Sequence, residues 1–123
     1  MKAGTRHRVP LSQRSIEILQ ALRALHPDHR YQCPGRKPGR PLSNMAFEMA
    51  MRRLGSTATP HGFRSSFRDW AAEQTGHSHE VIERTLAHTI KSKTERAYNR
   101  SDLFERRRQL MADWAAFVTG GAL

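Results

Sequence analysis

Apolar residues at three- and four-residue steps, each run fenced by Ser, Thr, Pro or Gly, fill most of this chain and commit it to a mainly helical fold. Ile16, Leu19, Leu22 and Leu25, with Ile18 beside them, predict a first helix that starts behind Ser12, buries one face and is closed by Pro27. Met45, Phe47, Met49, Ala50 and Leu54 predict a second, capped by Ser43 and ended by Gly55. Thr59 and Pro60 form a cap and first-turn pair for a third helix beginning around His61. A fourth is expected from about His79 to His88 and a fifth from about Ser92 to Arg100. A last one starts near Asp102, where Leu103, Leu110, Met111, Trp114 and Val118 come close to heptad spacing. Two regions depart from this period. Lys2 to Leu11, with Val9 and Leu11 alternating against polar neighbours, reads as part of a strand or hairpin. The Pro- and Gly-rich run from His26 to Leu42 reads as a loop around a short strand at Tyr31 to Cys33. At 123 residues the chain is one domain at most.

Charge narrows the partner. Twenty-one Lys and Arg face eleven Asp and Glu, a net +10 with histidines neutral, which favours nucleic acid or an anionic membrane surface. Membrane binding is the weaker of the two, because no apolar run approaches the roughly 20 residues a spanning helix needs. The start MKAGTRHRVPL has no apolar segment of the kind a signal peptide carries. A single cysteine, Cys33, excludes an intramolecular disulfide and a cysteine-based zinc module. The simplest expectation is a cytoplasmic protein that meets DNA.

The third helix carries two faces. At about 100° per residue, His61, Arg64 and Arg68 fall on one side, and Phe63, Phe67, Trp70 and Ala71 on the other. His61 sits in the first turn, where unpaired N–H groups and the helix dipole favour an anion. Arg64 adds a planar fork that matches phosphate oxygens in pairs. Taken alone, His61-x-x-Arg64 is short and common, and reads first as the solvated face of an ordinary amphipathic helix.

Two downstream features change that reading. Leu86-Ala87-His88 ends one helix, and Tyr98 follows ten residues after His88, between Arg96 and Arg100. A tyrosine there, by itself, is an unremarkable half-buried surface residue. The ordered set, however, resembles the active-site signature of the tyrosine site-specific recombinases, the phage integrases. In that resemblance His61-Gly62-Phe63-Arg64 matches the box with the family's first active-site histidine and second arginine. His88 matches the second histidine position and Tyr98 the nucleophile. Lys2-Ala3-Gly4, followed by Arg8-Val9-Pro10-Leu11, is similar to the hairpin bearing the family's lysine, which assigns that role to Lys2. PGRKPGRPLSN and HGFRSSFRDWAAEQ are similar to prophage and genomic-island integrases.

The resemblance implies an integrase-type catalytic domain, mainly α with a small β-hairpin and short strands near its start. It covers nearly the whole chain as a single partial domain, residues 1–123. The family's first arginine and its upstream DNA-gripping domains would fall before Met1, so the resemblance implies a shortened catalytic domain. The implied chemistry is attack of Tyr98 on a scissile phosphate, release of a 5′-hydroxyl and a transient 3′-phosphotyrosyl bond. Arg64 and His88 would stabilise charge on the non-bridging oxygens. Lys2 would protonate the leaving oxygen, and His61 would accept a proton or donate a hydrogen bond. No cofactor or metal is implied. With one arginine of the clamp absent, the chain by itself is expected to have little or no recombinase activity.

Other features carry readings of their own. Arg36, Lys37 and Arg40 lie in GRKPGRPL, which resembles the core of minor-groove AT-hooks but reads first as a Pro/Gly loop between strand and helix. In either case these three cations are expected near DNA backbone. His77-Ser78-His79-Glu80 lacks partners at metal-ligand spacing and reads as a helix-cap region. The last helix, with Trp114 and Phe117, either closes the core or docks on a neighbouring copy, making a homo-oligomer on DNA. Rival readings are a non-catalytic DNA-binding remnant of an integrase and a type IB topoisomerase. The joint presence of Lys2, His61, Arg64, His88 and Tyr98 argues against the first. The short spacing from His88 to Tyr98 argues against the second.

Overall fold

The computed structural model describes residues 6–88 and 101–120. Lys2, Tyr98 and the helix expected from Ser92 to Arg100 lie outside the described residues. The described helices are α1 (Gln13–Leu25), α2 (Ala46–Arg53), α3 (Pro60–Gln74), α4 (His79–Thr85) and α5 (Phe104–Val118). The chain divides into two units, Gln13–Phe63 and a second made of Met1–Ser12 with Arg64–Leu123, the boundary falling inside α3. No helix among the described residues is long and apolar enough to cross a membrane.

The second unit holds the buried core. Phe67, Trp70 and Ala71 recur at helical spacing on α3 and are buried. So are Val81 and Ile82 of α4, Leu86 just beyond it, and Leu110 of α5. Met111 and Trp114 continue the buried stripe of α5, and Leu103 packs beside them. The aromatics interlock: Phe67 meets Trp114 edge-on at 5.3 Å, and Trp70 stacks on Phe117 at the same separation. Burying a large apolar side chain contributes about 1.5–3 kcal/mol. An aromatic pair adds about 0.5–1.5 kcal/mol. This cluster therefore dominates the stability of the unit. Outside it, Phe63 is 54% exposed, so the apolar face of α3 begins at Phe67 rather than four residues earlier as the spacing predicts.

The unit Gln13–Phe63 is built differently. α1 starts one residue after Ser12 and ends at Leu25, within its expected bounds, but none of its residues is buried, and Leu25 is 72% exposed. The expected buried face is thus only partly covered. Arg23 donates to the carbonyl of His29 (2.7 Å) and Gln32 to that of Leu19, so polar bonds fold the following loop back onto α1. α2 begins at Ala46, with Met45 at its N-cap and no side-chain cap, so Ser43 does not cap it by its hydroxyl. The helix ends as expected at Gly55: Ser56 N–H reaches Met51 O and Gly55 N–H reaches Arg52 O, the paired bonds that close a helix C-terminus.

Among the described residues there is no strand. The expected hairpin is not seen where it can be checked: residues 6–12 have no regular structure. Pro10 lacks the N–H a ladder needs and is buried, and the Arg8 carbonyl is taken by the Arg107 side chain rather than by a partner strand. The short strand expected at Tyr31–Cys33 is likewise absent. The chain pairs slightly later, as a single antiparallel bridge between Pro34 and Pro41.

Candidate functional site

Thr59 sets the start of α3. Its Oγ1 accepts from Gly62 N–H at 3.0 Å, occupying one of the orphan donors of the first turn. His61 is exposed in that turn, and Arg64 follows one turn later. The Arg64 guanidinium reaches across to α4, where Nη2 donates to Leu86 O at 2.6 Å. That single bond fixes the arm, while the rest of its fork meets no carboxylate among the described residues. One turn further, Arg68 Nε donates to Glu83 Oε1 at 2.8 Å. The polar face of α3 is therefore tied to the C-terminal end of α4.

That end has an unusual stop. α4 begins under Ser78, whose Oγ accepts from Val81 N–H at 3.3 Å, and it closes at Thr85, three residues short of the expected His88. Ala87 N–H bonds Arg84 O and His88 N–H bonds Glu83 O, the same paired closure that ends α2. Here the left-handed residue is Ala87 (φ 55°), not glycine. A non-glycine residue in that region costs roughly 1–2 kcal/mol. The strain turns the chain so that His88 lies over the helix it has just left. Its Nδ1 then stands 2.5 Å from Glu83 Oε2.

Glu83 thus joins two groups. One oxygen takes Arg68, the other His88, and the side chain is only 16% exposed. Partial burial pushes its carboxyl up, but the hydrogen bond to His88 and the bond and charge of Arg68 outweigh this. They hold it below the ordinary carboxylate range. The carboxylate is held in its charged, accepting form, and Nδ1 is the ring nitrogen of His88 within hydrogen-bond reach of it. The imidazole is half exposed, and its other nitrogen, Nε2, makes no contact among the described residues that would occupy it.

A second polar cluster anchors residues 6–10. Arg107, on α5, is 1% exposed. It donates to Asp102 O (3.3 Å) and to Arg8 O, and lies 3.2 Å from His7 Nε2. Burial works against its charge, and nearby Asp102 works in its favour. Arg8 forks onto Asp102 through Nε (2.9 Å) and Nη2 (2.8 Å) and lies 4.2 Å over the Phe104 ring. The hydrogen bonds from Arg8, then its charge, hold the Asp102 carboxyl below its usual range. This clasp fixes the stretch leading back toward Lys2. His77 makes a third link, with Nε2 2.6 Å from Asp113 Oδ2 on α5, so the His77–Glu80 run braces α5 while Ser78 caps α4. Among the described residues no group of three or more His, Cys, Asp or Glu could hold a metal ion.

In the other unit, Arg36, Lys37 and Arg40 sit at the tip of the loop closed by the Pro34–Pro41 bridge, all three exposed and without a carboxylate partner among the described residues. Arg40 N–H returns to Lys37 O (3.2 Å) around Pro38 and Gly39. Gly39, at φ 70°, takes the position that demands a left-handed residue in this turn. Gly35 lets the arms close: a Cβ there would lie 2.3 Å from Pro41 O. Beside the loop an open groove of about 750 Å3 runs along α2, with Arg53, Phe47 and Met49 in its wall.

The structure thus brings Arg64 and His88 to the same end of α4 and presents Arg36, Lys37 and Arg40 together on one loop. It leaves His61 exposed at the start of α3. Lys2 and Tyr98 lie outside the described residues. Sequence reasoning missed Glu83, Arg107 and Asp102. Only the spacing of Glu83, five residues before His88 across a helix end, could have marked it, and only once the stop at Ala87 was known.

No family model matches the chain, and no solved structure matches it. Curated proteins do. A prophage integrase of Escherichia coli K12, IntA, is 38% identical over 121 residues, 96% of this chain and 29% of that protein. A second from the same organism, IntZ, is 37% identical over 94% of this chain and 29% of its own length. The integrase of Enterobacteria phage P4 is 31% identical over 96% of this chain and 28% of its own length. The chain therefore spans about three-tenths of the length of the curated relatives it matches.

Proposed function

The chain is a relative of the phage and prophage integrases, and on that premise we propose that it supplies the tyrosine strand-transfer site of a site-specific DNA recombinase. Tyr98 attacks the scissile phosphate. Its oxygen gives up the phenolic proton to His61 or solvent and forms the new P–O bond, the 5′-oxygen of the next nucleotide leaves, and Lys2 protonates it. The 3′-phosphotyrosyl link conserves the phosphodiester, so a free 5′-hydroxyl reverses the step without ATP. Arg64 and His88 stabilise charge on the non-bridging oxygens, and His61 assists from the first turn of α3.

The observation that supports this reading is that Arg64 and His88 are both held at the end of α4, the guanidinium on Leu86 O and the imidazole on Glu83 past the Ala87 stop. Two phosphate-binding side chains of the signature, 24 positions apart, are held on neighbouring backbone, as positioning catalysis requires. Arg36, Lys37 and Arg40 take duplex backbone, and α5, whose Phe117 and Val118 are exposed, offers a surface for a second copy on the same DNA. The setting is the cytoplasm, wherever its DNA target lies.

The resemblance assigns the family's first arginine to sequence ahead of the lysine. The 123-residue polypeptide alone is therefore expected to transfer strands weakly, since one charge-stabilising donor is worth roughly 10²–10³ in rate. The test is a chimera in which this chain replaces the matching three-tenths of the Escherichia coli integrase IntA, assayed on that protein's own DNA substrate. Integration by the chimera and its loss in Tyr98→Phe support the reading. A chimera that binds the DNA without cutting it supports a non-catalytic remnant instead.

A further inference from the structure

The Glu83 carboxylate, bridging Arg68 and His88, has no part in the chemistry assigned so far. It is largely covered, ionised, and placed so that each oxygen serves one partner: Oε1 for Arg68 Nε at 2.8 Å, Oε2 for His88 Nδ1 at 2.5 Å. We propose that Glu83 is a positioning residue for His88: gripped by Arg68, it accepts a hydrogen bond from Nδ1–H and so leaves Nε2 as the nitrogen offered to the DNA phosphate. The proposal rests on the reading of His88 as a phosphate-facing group.

The physical argument is that of an oriented imidazole. Which ring nitrogen carries the proton is set by what the other is bonded to, and a carboxylate can only accept. The residue is held in three ways: its backbone N–H donates to Glu83 O, its ring Nδ1 lies on the Glu83 side chain, and the left-handed turn at Ala87 precedes it. When protonated, the imidazolium keeps both bonds, donating through Nδ1 to Glu83 and through Nε2 outward, and the carboxylate stabilises that charge. When neutral, the ring retains the Nδ1 proton and Nε2 becomes an acceptor, so the form that stabilises phosphate charge is the imidazolium, with Glu83 as its counter-charge. Arg68 matters because it fixes which oxygen of Glu83 remains for His88.

Arg68 also gives the test its edge. In Glu83→Gln the amide has one acceptor and one donor end. Arg68 Nε–H needs the oxygen, so the NH2 group is left facing His88 Nδ1. The amide then donates to that nitrogen, and the proton must move to Nε2. The variant keeps the size and the Arg68 bond yet reverses the tautomer.

The experiment is a long-range 1H–15N spectrum of the full 123-residue chain, with His88→Gln used to assign the ring signals. It is recorded at a pH where His88 is neutral, for the wild type and for Glu83→Gln. Expected are Nδ1–H in the wild type and Nε2–H in Glu83→Gln, with helix content unchanged by circular dichroism. Nε2–H in the wild type, or the same tautomer in both proteins, overturns the proposal. The wild-type spectrum decides the matter even if the variant does not fold. Failure of the strand-transfer reading is distinguishable, since it appears as an integration-dead chimera whose His88 tautomer is intact.

Discussion

Arg107 should be the most costly charged residue to replace. Its guanidinium is 1% exposed and donates to the carbonyls of Asp102 and Arg8, with His7 Nε2 at 3.2 Å, so one side chain ties residues 7 and 8 to the turn just before α5. Arg107→Met keeps most of the stem packing and removes every one of these bonds. Hydrogen bonds to a charged group contribute about 1.5–3 kcal/mol each, and leaving acceptors without a donor costs as much again. Against this, the variant escapes the several kcal/mol of desolvation that a buried guanidinium carries. Exposure of Arg8 and Asp102 lets water satisfy part of what is removed. The expected net loss is about 2–3 kcal/mol, within the range for breaking a buried polar network. Urea titration followed by Trp70 and Trp114 fluorescence measures it. Amide exchange at residues 7–9 should rise in parallel, because those residues lose their anchor while the aromatic core does not. A loss below about 0.5 kcal/mol, with exchange unchanged at those amides, would refute the view that Arg107 docks this segment.

Three further outcomes follow from the geometry. Ala87→Gly relieves a left-handed alanine and should stabilise the chain by about 0.5–1 kcal/mol, after allowing for glycine's extra freedom when unfolded. Thermal melts would show it, and a destabilised variant would mean Ala87 is not strained. Glu83 and Asp102 both have carboxyls held below their unfolded values, so the folded state binds fewer protons in acid than the unfolded one. Their stabilisation is complete above the ordinary carboxylate range, roughly pH 4, and is lost as pH falls through the lowered values. Glu83→Gln should accordingly flatten the acid limb of the stability curve, and an unchanged limb would count against the Arg68–Glu83–His88 network. In duplex binding, replacing Arg36, Lys37 and Arg40 by Gln should lower the salt slope by roughly 0.9 for each phosphate these cations neutralise. An unchanged slope would place DNA elsewhere.

How far the sequence could be read depended on whether a residue's role was local. Thr59-Pro60 and Ser78 announce helix starts because a cap acts within three residues, and both helices begin there. Gly55 marks a helix end for the same reason. Leu110 and Trp114 on α5, and Phe67 and Trp70 on α3, are legible because a buried face repeats with the helix. α1 shows the limit: its apolar spacing is as regular, yet periodicity gives only a face, and what covers that face is decided by tertiary packing. Arg107 was illegible because an arginine within Arg106-Arg107-Arg108 looks solvated, and two of its partners, His7 and Arg8, lie 100 and 99 positions away. The α4 stop was misplaced because alanine carries no signal for a left-handed turn. Glu83 was overlooked because its link to His88 depends on that stop. The hairpin expected from Val9 and Leu11 failed where Pro10 and the Arg107–Arg8 bond took the backbone groups a ladder would have used. Of the candidate site, the motif singled out Arg64 and His88, and both side chains are held at the C-terminal end of α4, by Leu86 O and by Glu83, partners that the sequence did not announce.

As the proposed nucleophile, Tyr98 becomes covalently bonded to DNA during strand transfer. The most direct measurement is mass spectrometry of the chimera trapped on a nicked duplex of the IntA substrate, digested with protease and nuclease. A nucleotide joined through its 3′-phosphate to the peptide bearing Tyr98, and absent in Tyr98→Phe, is the predicted result. Strand transfer with the nucleotide on any other residue, or with no covalent adduct at all, would contradict it.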